Sequence, residues 1–219
     1  MKVTPSTQAC GAQVSGVDLS SPLDEDMVQA IRKAWIEHKV LAFPEQDLSD
    51  DDLVRLTGYF GDFGDEPYFV PIEGQKHVVA LKRAAEETAS IFAESWHSDW
   101  SFQESPPIGT CLYSITIPPV GGDTDFIDQE KALAEMPKTL RDRLEGKKAL
   151  HSAGVAYAPD GLYGEADKSS DRSMEIIYSD DANEVYAHPI ITRHPESGAE
   201  TIYGTAGYVI GFEDMAEDE

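Results

Sequence analysis

Trp96-His97-Ser98-Asp99-Trp100-Ser101-Phe102 is the stretch whose reading decides the rest of the chain. In it an imidazole and a carboxylate stand two positions apart. Residues i and i+2 of an extended segment point to the same face, so both side chains can converge on one small object. A divalent metal ion fits that description, since imidazole nitrogen and carboxylate oxygen both serve first-row metals. A bare H-x-D also occurs on plain surface loops, so the flanking sequence has to decide between the two.

Working outward, Ser21-Pro22-Leu23-Asp24 opens a segment in which Val28, Ile31, Trp35 and His38 recur at helical spacing, with Glu25, Asp26, Arg32 and Lys33 off that stripe. Val40-Leu41-Ala42-Phe43, stopped by Pro44, reads as a buried strand. A second helix follows, with Ser49 as N-cap, Asp52 at the third position, an apolar stripe of Leu53, Leu56 and Phe60, and Gly61 as the stop. Val78 to Leu81 reads as a further strand, and Arg83 to Ser95 as a loop or a short helix.

On the C-terminal side of the H-x-D stretch, Ile108 to Ile117 is rich in Thr, Tyr, Ile and Leu and closes on Pro118-Pro119. Gly121-Gly122 then turns the chain into Asp123-Thr124-Asp125-Phe126-Ile127-Asp128. These predict two strands with a tight connection. Gln129 to Met136 and Pro137 to Glu145 predict an outer helical pair ended by Gly146, and Lys148 to Ser152 a return to the sheet. Ala156 to Val185 lacks periodicity and reads as a long loop. Pro195-Glu196-Ser197-Gly198 predicts a hairpin between His188–Arg193 and Glu200–Tyr203. With no internal repeat and no convincing linker, residues 1–219 read as one domain of short strands with helices packed outside.

The chain of 219 residues is 41% hydrophobic and 26% charged, which suits a folded chain with one well-buried core. Its 17 Lys and Arg against 41 Asp and Glu give a net charge of −24, which repels nucleic acid and anionic membranes alike. The N-terminus lacks an apolar signal-peptide core and no run approaches a membrane span, so the expected location is the cytoplasm. Cys10 and Cys111 stand far apart and outside any metal-type cluster, so they are expected as reduced thiols.

Together with Pro106-Pro107 and Gly121-Gly122-Asp123-Thr124, the Trp96–Phe102 stretch resembles the Fe(II)- and 2-oxoglutarate-dependent dioxygenases of the TauD/TfdA family, which includes taurine and 2,4-dichlorophenoxyacetate dioxygenases. The resemblance begins at Gly11-Ala12-Gln13-Val14-Ser15-Gly16-Val17-Asp18-Leu19 and passes through Val40-Leu41-Ala42-Phe43 and Phe60-Gly61. It resumes at His188-Pro189 and Arg193-His194-Pro195-Glu196-Ser197-Gly198, so it covers nearly the whole chain. It implies a mainly β fold with flanking helices, a distorted double-stranded β-helix of the jelly-roll, cupin-like kind.

The same resemblance implies that His97 and Asp99 are two ligands of a 2-His-1-carboxylate triad holding Fe(II), leaving positions open for co-substrate and oxygen. It implies that Thr124 contacts a carboxylate of 2-oxoglutarate and that Tyr208 forms an aromatic wall of the substrate pocket. Glu66, Phe69 and Ala93 match the positions that grip a sulfonated amine in taurine-type members. None of the three can do that work, and Glu66 would repel a sulfonate. His188 and His194 belong to structural strands, while His151, His77 and His38 carry no partner signal.

The activity implied is hydroxylation of a small organic substrate, with molecular oxygen consumed and succinate and carbon dioxide released. The competing reading is a non-catalytic member of the same fold. A small-molecule substrate, no nucleic-acid or membrane partner, and possible homo-oligomerisation complete the expectations. The family's distal His ligand and its 2-oxoglutarate-binding Arg fall beyond Glu219, and Phe212 to Glu219 match the start of a family helix. The sequence is therefore expected to be incomplete at its C-terminus.

Overall fold

Asp24 accepts a hydrogen bond from the Met27 amide and Ser49 one from the Asp52 amide, and these two contacts open the first two helices. The structure is a computed structural model that describes residues 1–215. In chain order its elements are β1 (Lys2–Pro5), β2 (Ala12–Ser15), α1 (Glu25–His38), β3 (Leu41–Ala42), α2 (Asp50–Gly58), α3 (Gln129–Glu135), α4 (Lys138–Leu144), β4 (Lys148–His151) and α5 (Gly154–Tyr157). The remaining strands are β5 (Tyr186–Pro189), β6 (Ile191–Arg193), β7 (Glu200–Ile202) and β8 (Val209–Phe212). They form three small sheets, in the orders β1-β2-β3, β5-β4-β8 and β6-β7. Helical residues outnumber strand residues, so the architecture is mixed helix and sheet where a mainly β chain was expected.

Two compact units divide the chain. The first takes residues 1–62, 110–141 and 192–202. Its core joins Ile31 of α1 and Leu56 of α2 to Leu19, with Leu41, Phe43 and Phe60 packed against them. The helical stripes of the sequence therefore face the core as the periodicity requires. At α2 the Ser49 and Asp52 side chains form a complete capping box. Strand β2 buries Ala12 and Val14 while Gln13 and Ser15 face out, pairs antiparallel with β1 and runs parallel to β3. Gly198, with φ +71°, makes the turn of the expected β6–β7 hairpin.

The second unit takes residues 63–109, 142–191 and the described chain from Tyr203. Its sheet has β4 between β5 and β8, antiparallel to both. Beside the sheet lies an aromatic cluster in which Tyr68 stacks on Tyr157 with ring centres 4.2 Å apart and Phe69 meets Phe92 edge to face at 5.4 Å. Helix α5 supplies Tyr157 to that core, and the chain that follows it, expected as a long loop over 156–185, supplies Tyr163, Met174 and Ile176. It is a packed part of the unit.

Several expected elements are corrected. The first strand after α1 is only two residues long and half-exposed, and α2 ends at Gly58 with Phe60 and Gly61 beyond it. Val78–Leu81 forms no strand; Val79 makes a single bridge to Pro71. Arg83–Ser95 is a turn-rich loop without a helix, tied by the Arg83 guanidinium to the carbonyls of Glu87 and Ala89. Ile108–Ile117 and Asp123–Asp128 form no strands either. Their apolar side chains face outward, Ile115 being 84% exposed and Ile117 73%. A strand needs a neighbour to complete its backbone hydrogen bonds, and the described residues pair none with this stretch. Phe212 belongs to β8 and Glu213-Asp214 to a turn, so the helix expected from Phe212 does not start there, and its last positions lie outside the described residues.

Candidate active site

His97 and Asp99 do meet, through a turn and not along an extended strand. The Ser101 amide donates to the Ser98 carbonyl at 3.2 Å, folding Asp99 and Trp100 into a tight reversal. Trp100 sits at φ +51°, a left-handed conformation that a bulky residue keeps only when its surroundings hold it. Those surroundings are explicit. The Trp100 indole donates to Glu66 Oε2 at 2.9 Å, and Glu66 Oε1 accepts the Tyr68 amide at 3.0 Å.

The result places His97 Nε2 3.0 Å from Asp99 Oδ1. On the far side of the ring, Nδ1 lies 2.8 Å from the Ser95 carbonyl oxygen, which only accepts, so Nδ1 carries a proton. In neutral imidazole that leaves the Nε2 lone pair facing a carboxylate, an arrangement that calls for a positive charge at that point. The contact with Asp99 raises the His97 pKa most, and the Ser95 carbonyl adds to it against desolvation. A proton on Nε2 would meet the demand. A divalent cation would meet it equally, and one imidazole nitrogen with one carboxylate oxygen fits iron or manganese. The backbone carbonyl on the other ring nitrogen is the usual way a metal-binding histidine has its tautomer fixed. Among the described residues no third His, Cys, Asp or Glu joins the pair to make a larger metal-holding group.

Behind the pair the chain passes very close. Gly207 donates its amide to the Trp96 carbonyl at 3.0 Å, and a Cβ at Gly207 would fall 2.6 Å from the His97 Cβ. Only glycine fits there. The next residue, Tyr208, presents its ring edge-on to His97 at 5.8 Å and packs against Phe102 at 4.8 Å. Burial pushes its phenol up to about 12. Glu66 is also pushed up by burial, more than its two hydrogen bonds offset.

Of the residues singled out in the sequence, His97, Asp99 and Tyr208 are thus neighbours. Phe69 is buried in the aromatic cluster, and the Ala93 amide donates to the Tyr163 hydroxyl at 3.2 Å. Thr124 lies in the first unit, just past the Gly121-Gly122 turn, in the exposed strand-free stretch. Two other contacts carry no local sequence signal: the Glu66–Trp100 bond, which links residues 34 positions apart, and a bond from His151 to Ser101, which spans 50.

Comparison with known proteins agrees with the motif reading. Over 197 residues the chain is 30% identical to an alkylsulfatase of Acinetobacter baylyi, covering 90% of this chain and 60% of that protein. It is 31% identical to an alpha-ketoglutarate-dependent sulfate ester dioxygenase of Pseudomonas putida, covering 90% of this chain and 64% of that one. The chain therefore spans a little over three fifths of the length of these curated relatives. In fold it resembles a taurine dioxygenase from Burkholderia xenovorans, with a TM-score of 0.73 at 24% identity over 99% of this chain and 67% of that one. It also resembles AAD-2, a structure solved with Mn(II) and N-oxalylglycine, with a TM-score of 0.67 at 18% identity over 99% of this chain and 73% of that one. The family model for the taurine catabolism dioxygenase TauD, TfdA family matches residues 2–219, and the chain belongs to that family.

Proposed function

We propose that residues 1–219 are a single TauD/TfdA-type domain that hydroxylates a small organic substrate, using Fe(II), 2-oxoglutarate and molecular oxygen and releasing succinate and carbon dioxide. The observation that carries this reading is the His97–Asp99 pair, with the imidazole proton committed to the Ser95 carbonyl and Nε2 directed at the carboxylate. Family membership over nearly the whole chain supports it, as do the dioxygenase names of relatives. The likeness of fold supports a double-stranded β-helix as the underlying architecture.

In this reading His97 Nε2 and Asp99 hold the iron, and Thr124 donates its hydroxyl to a carboxylate of 2-oxoglutarate. Iron, when bound, supplies the coupling of oxygen reduction to decarboxylation of the co-substrate. The protein's own part is to orient. Gly207 admits the chain close behind His97, Tyr208 walls one side of the imidazole, and Trp100 is fixed by Glu66. Glu66 near Asp99 brings negative potential to this side of the site and disfavours a sulfonate or other anion there. The net charge of −24 argues for a small-molecule substrate and against nucleic acid. No helix among the described residues is long and apolar enough to cross a membrane, and a cytoplasmic location fits that. A homo-oligomer is compatible with all of this.

The decisive experiment is anaerobic Fe(II) binding by the wild type and by Asp99→Ala, with circular dichroism to verify folding. The expected result is one iron per wild-type chain and a loss of affinity of at least about tenfold in the variant, since a ligand and its balancing charge go together. Equal binding by both proteins would overturn the assignment.

A further inference from the structure

The mechanism above uses neither His151 nor Ser101, yet both are among the most deeply buried polar side chains of the described residues, at 0% and 1% exposure. His151 ends β4, the middle strand of its sheet, and is paired with Tyr186 on one side and Val209 on the other, so its backbone is fixed from both flanks. Its ring lies between His188, edge to face at 5.1 Å, and Tyr203, stacked at 5.6 Å. The backbone at Gly204 closes the remaining side: a Cβ there would come within 3.2 Å of Nε2.

Nε2 has no hydrogen-bond partner, whereas Nδ1 lies 3.0 Å from Ser101 Oγ. A buried N–H without an acceptor is rarer and costlier than a buried lone pair without a donor, so the ring proton belongs on Nδ1, donating to Ser101. Ser101 in turn closes the Ser98–Ser101 reversal through its amide. That reversal carries Asp99 and the left-handed Trp100. A polar ring sealed against water with one nitrogen unsatisfied contributes little by packing that a leucine would not match. What it does supply is a directed bond from a rigid central strand to the strained turn.

We infer that His151 is a positioning residue for the metal pair: its Nδ1–H···Oγ bond to Ser101 pins the Ser98–Ser101 turn and so sets where Asp99 presents its carboxylate to His97. This rests on the reading of His97 and Asp99 as metal ligands. It assigns a role to a histidine whose sequence context gave none, and it makes the β4 strand the reference frame for the ligand turn.

The test is titration of the full chain with Mn(II), reading free metal by its electron paramagnetic resonance signal, alongside urea unfolding of each variant. His151→Asn keeps a nitrogen donor where Nδ1 stood but leaves part of the ring's volume empty. His151→Leu fills the volume and has no donor. If His151 merely packs, leucine should match or exceed asparagine in both stability and metal affinity. If it positions the turn, asparagine should exceed leucine in metal affinity whichever variant is the more stable.

The expected result is an Mn(II) dissociation constant raised about tenfold in His151→Leu and in Ser101→Ala, and by no more than about threefold in His151→Asn. The double variant His151→Leu/Ser101→Ala should bind no worse than either single one, because all three lack the same bond. Wild-type affinity in Ser101→Ala, or equal affinity in the Asn and Leu variants, would overturn the inference. Should His151→Leu fail to fold, Ser101→Ala decides by itself, since it removes a single oxygen. His97→Ala separates the two levels: if it binds Mn(II) as the wild type does, the metal reading falls and takes this inference with it. Impaired His97→Ala beside unimpaired Ser101→Ala sinks the inference alone.

Discussion

Lys148-Ala149-Leu150-His151 has modest β-forming character, and Ile108 to Ile117, with its Ile, Thr, Leu and Tyr, has a great deal. The structure reverses that order. The first is a central strand with neighbours on both sides and Ala149 and His151 at 0% exposure, whereas the second forms no strand and holds its apolar side chains outward. Tyr113 helps tie the second run down, its hydroxyl accepting the Leu48 amide at 3.1 Å and donating to the Gln46 carbonyl at 3.3 Å. What makes a strand here is the presence of partner edges, and propensity alone does not create them.

The largest test of this contrast is Ala149→Asp. A charge placed where the side chain has no access to water should cost at least about 4 kcal/mol and leave the second unit unfolded, as judged by urea melts. Survival of the unit would show that β4 is less sealed than the structure has it.

Next comes acidification. Burial, with His188 adding to it, pushes the His151 pKa down to about 4, whereas the unfolded chain titrates near 6.5. Above that value both states are neutral and the group is silent. Below it the unfolded state takes up a proton that the folded state refuses, so stability falls with pH by up to roughly 3 kcal/mol by pH 4. His151→Leu should lose this component, and the difference between its melts and those of the wild type at pH 7.5 and 4.5 measures it. Parallel pH dependences would place the ring in contact with water.

In the exposed stretch, Thr124→Val should weaken 2-oxoglutarate binding by one hydrogen bond to a charged group, about 1.5–3 kcal/mol, and leave iron affinity nearly unchanged. Calorimetric titration with each ligand distinguishes this from a purely structural threonine, for which co-substrate affinity would not move.

The smallest effect belongs to Ile115→Ser. At 84% exposure the side chain is already hydrated, and the expected change in stability is within about 0.5 kcal/mol. A loss of 2 kcal/mol or more would reveal a packing partner for this stretch and erase the contrast with β4.

Much of the first unit is legible in the sequence because its determinants are local. Asp24 and the 3.6-residue stripe of Val28, Ile31 and Trp35 define α1, Ser49 and Asp52 define the start of α2, and Gly198 defines the hairpin turn. Each depends on residues a few positions apart, whose geometry the backbone itself fixes. Ile108–Ile117 and Asp123–Asp128 form no strands for the complementary reason: their pattern states a preference for strand, and a strand is completed only by another segment.

The candidate site divides along the same line. Two residues of spacing already bring His97 and Asp99 within reach of each other, and the motifs around them carry the family. How they meet depends on the folded chain: they do so by a reversal at Ser98–Ser101, with Trp100 held left-handed by Glu66, Gly207 pressed behind His97, and His151 bonded to Ser101 from the middle of a sheet. Apart from the local Ser98–Ser101 reversal, those contacts join residues from 34 to 110 positions apart. Their free energy comes from burying and orienting polar groups against segments that are neighbours only after folding, which no local pattern can encode.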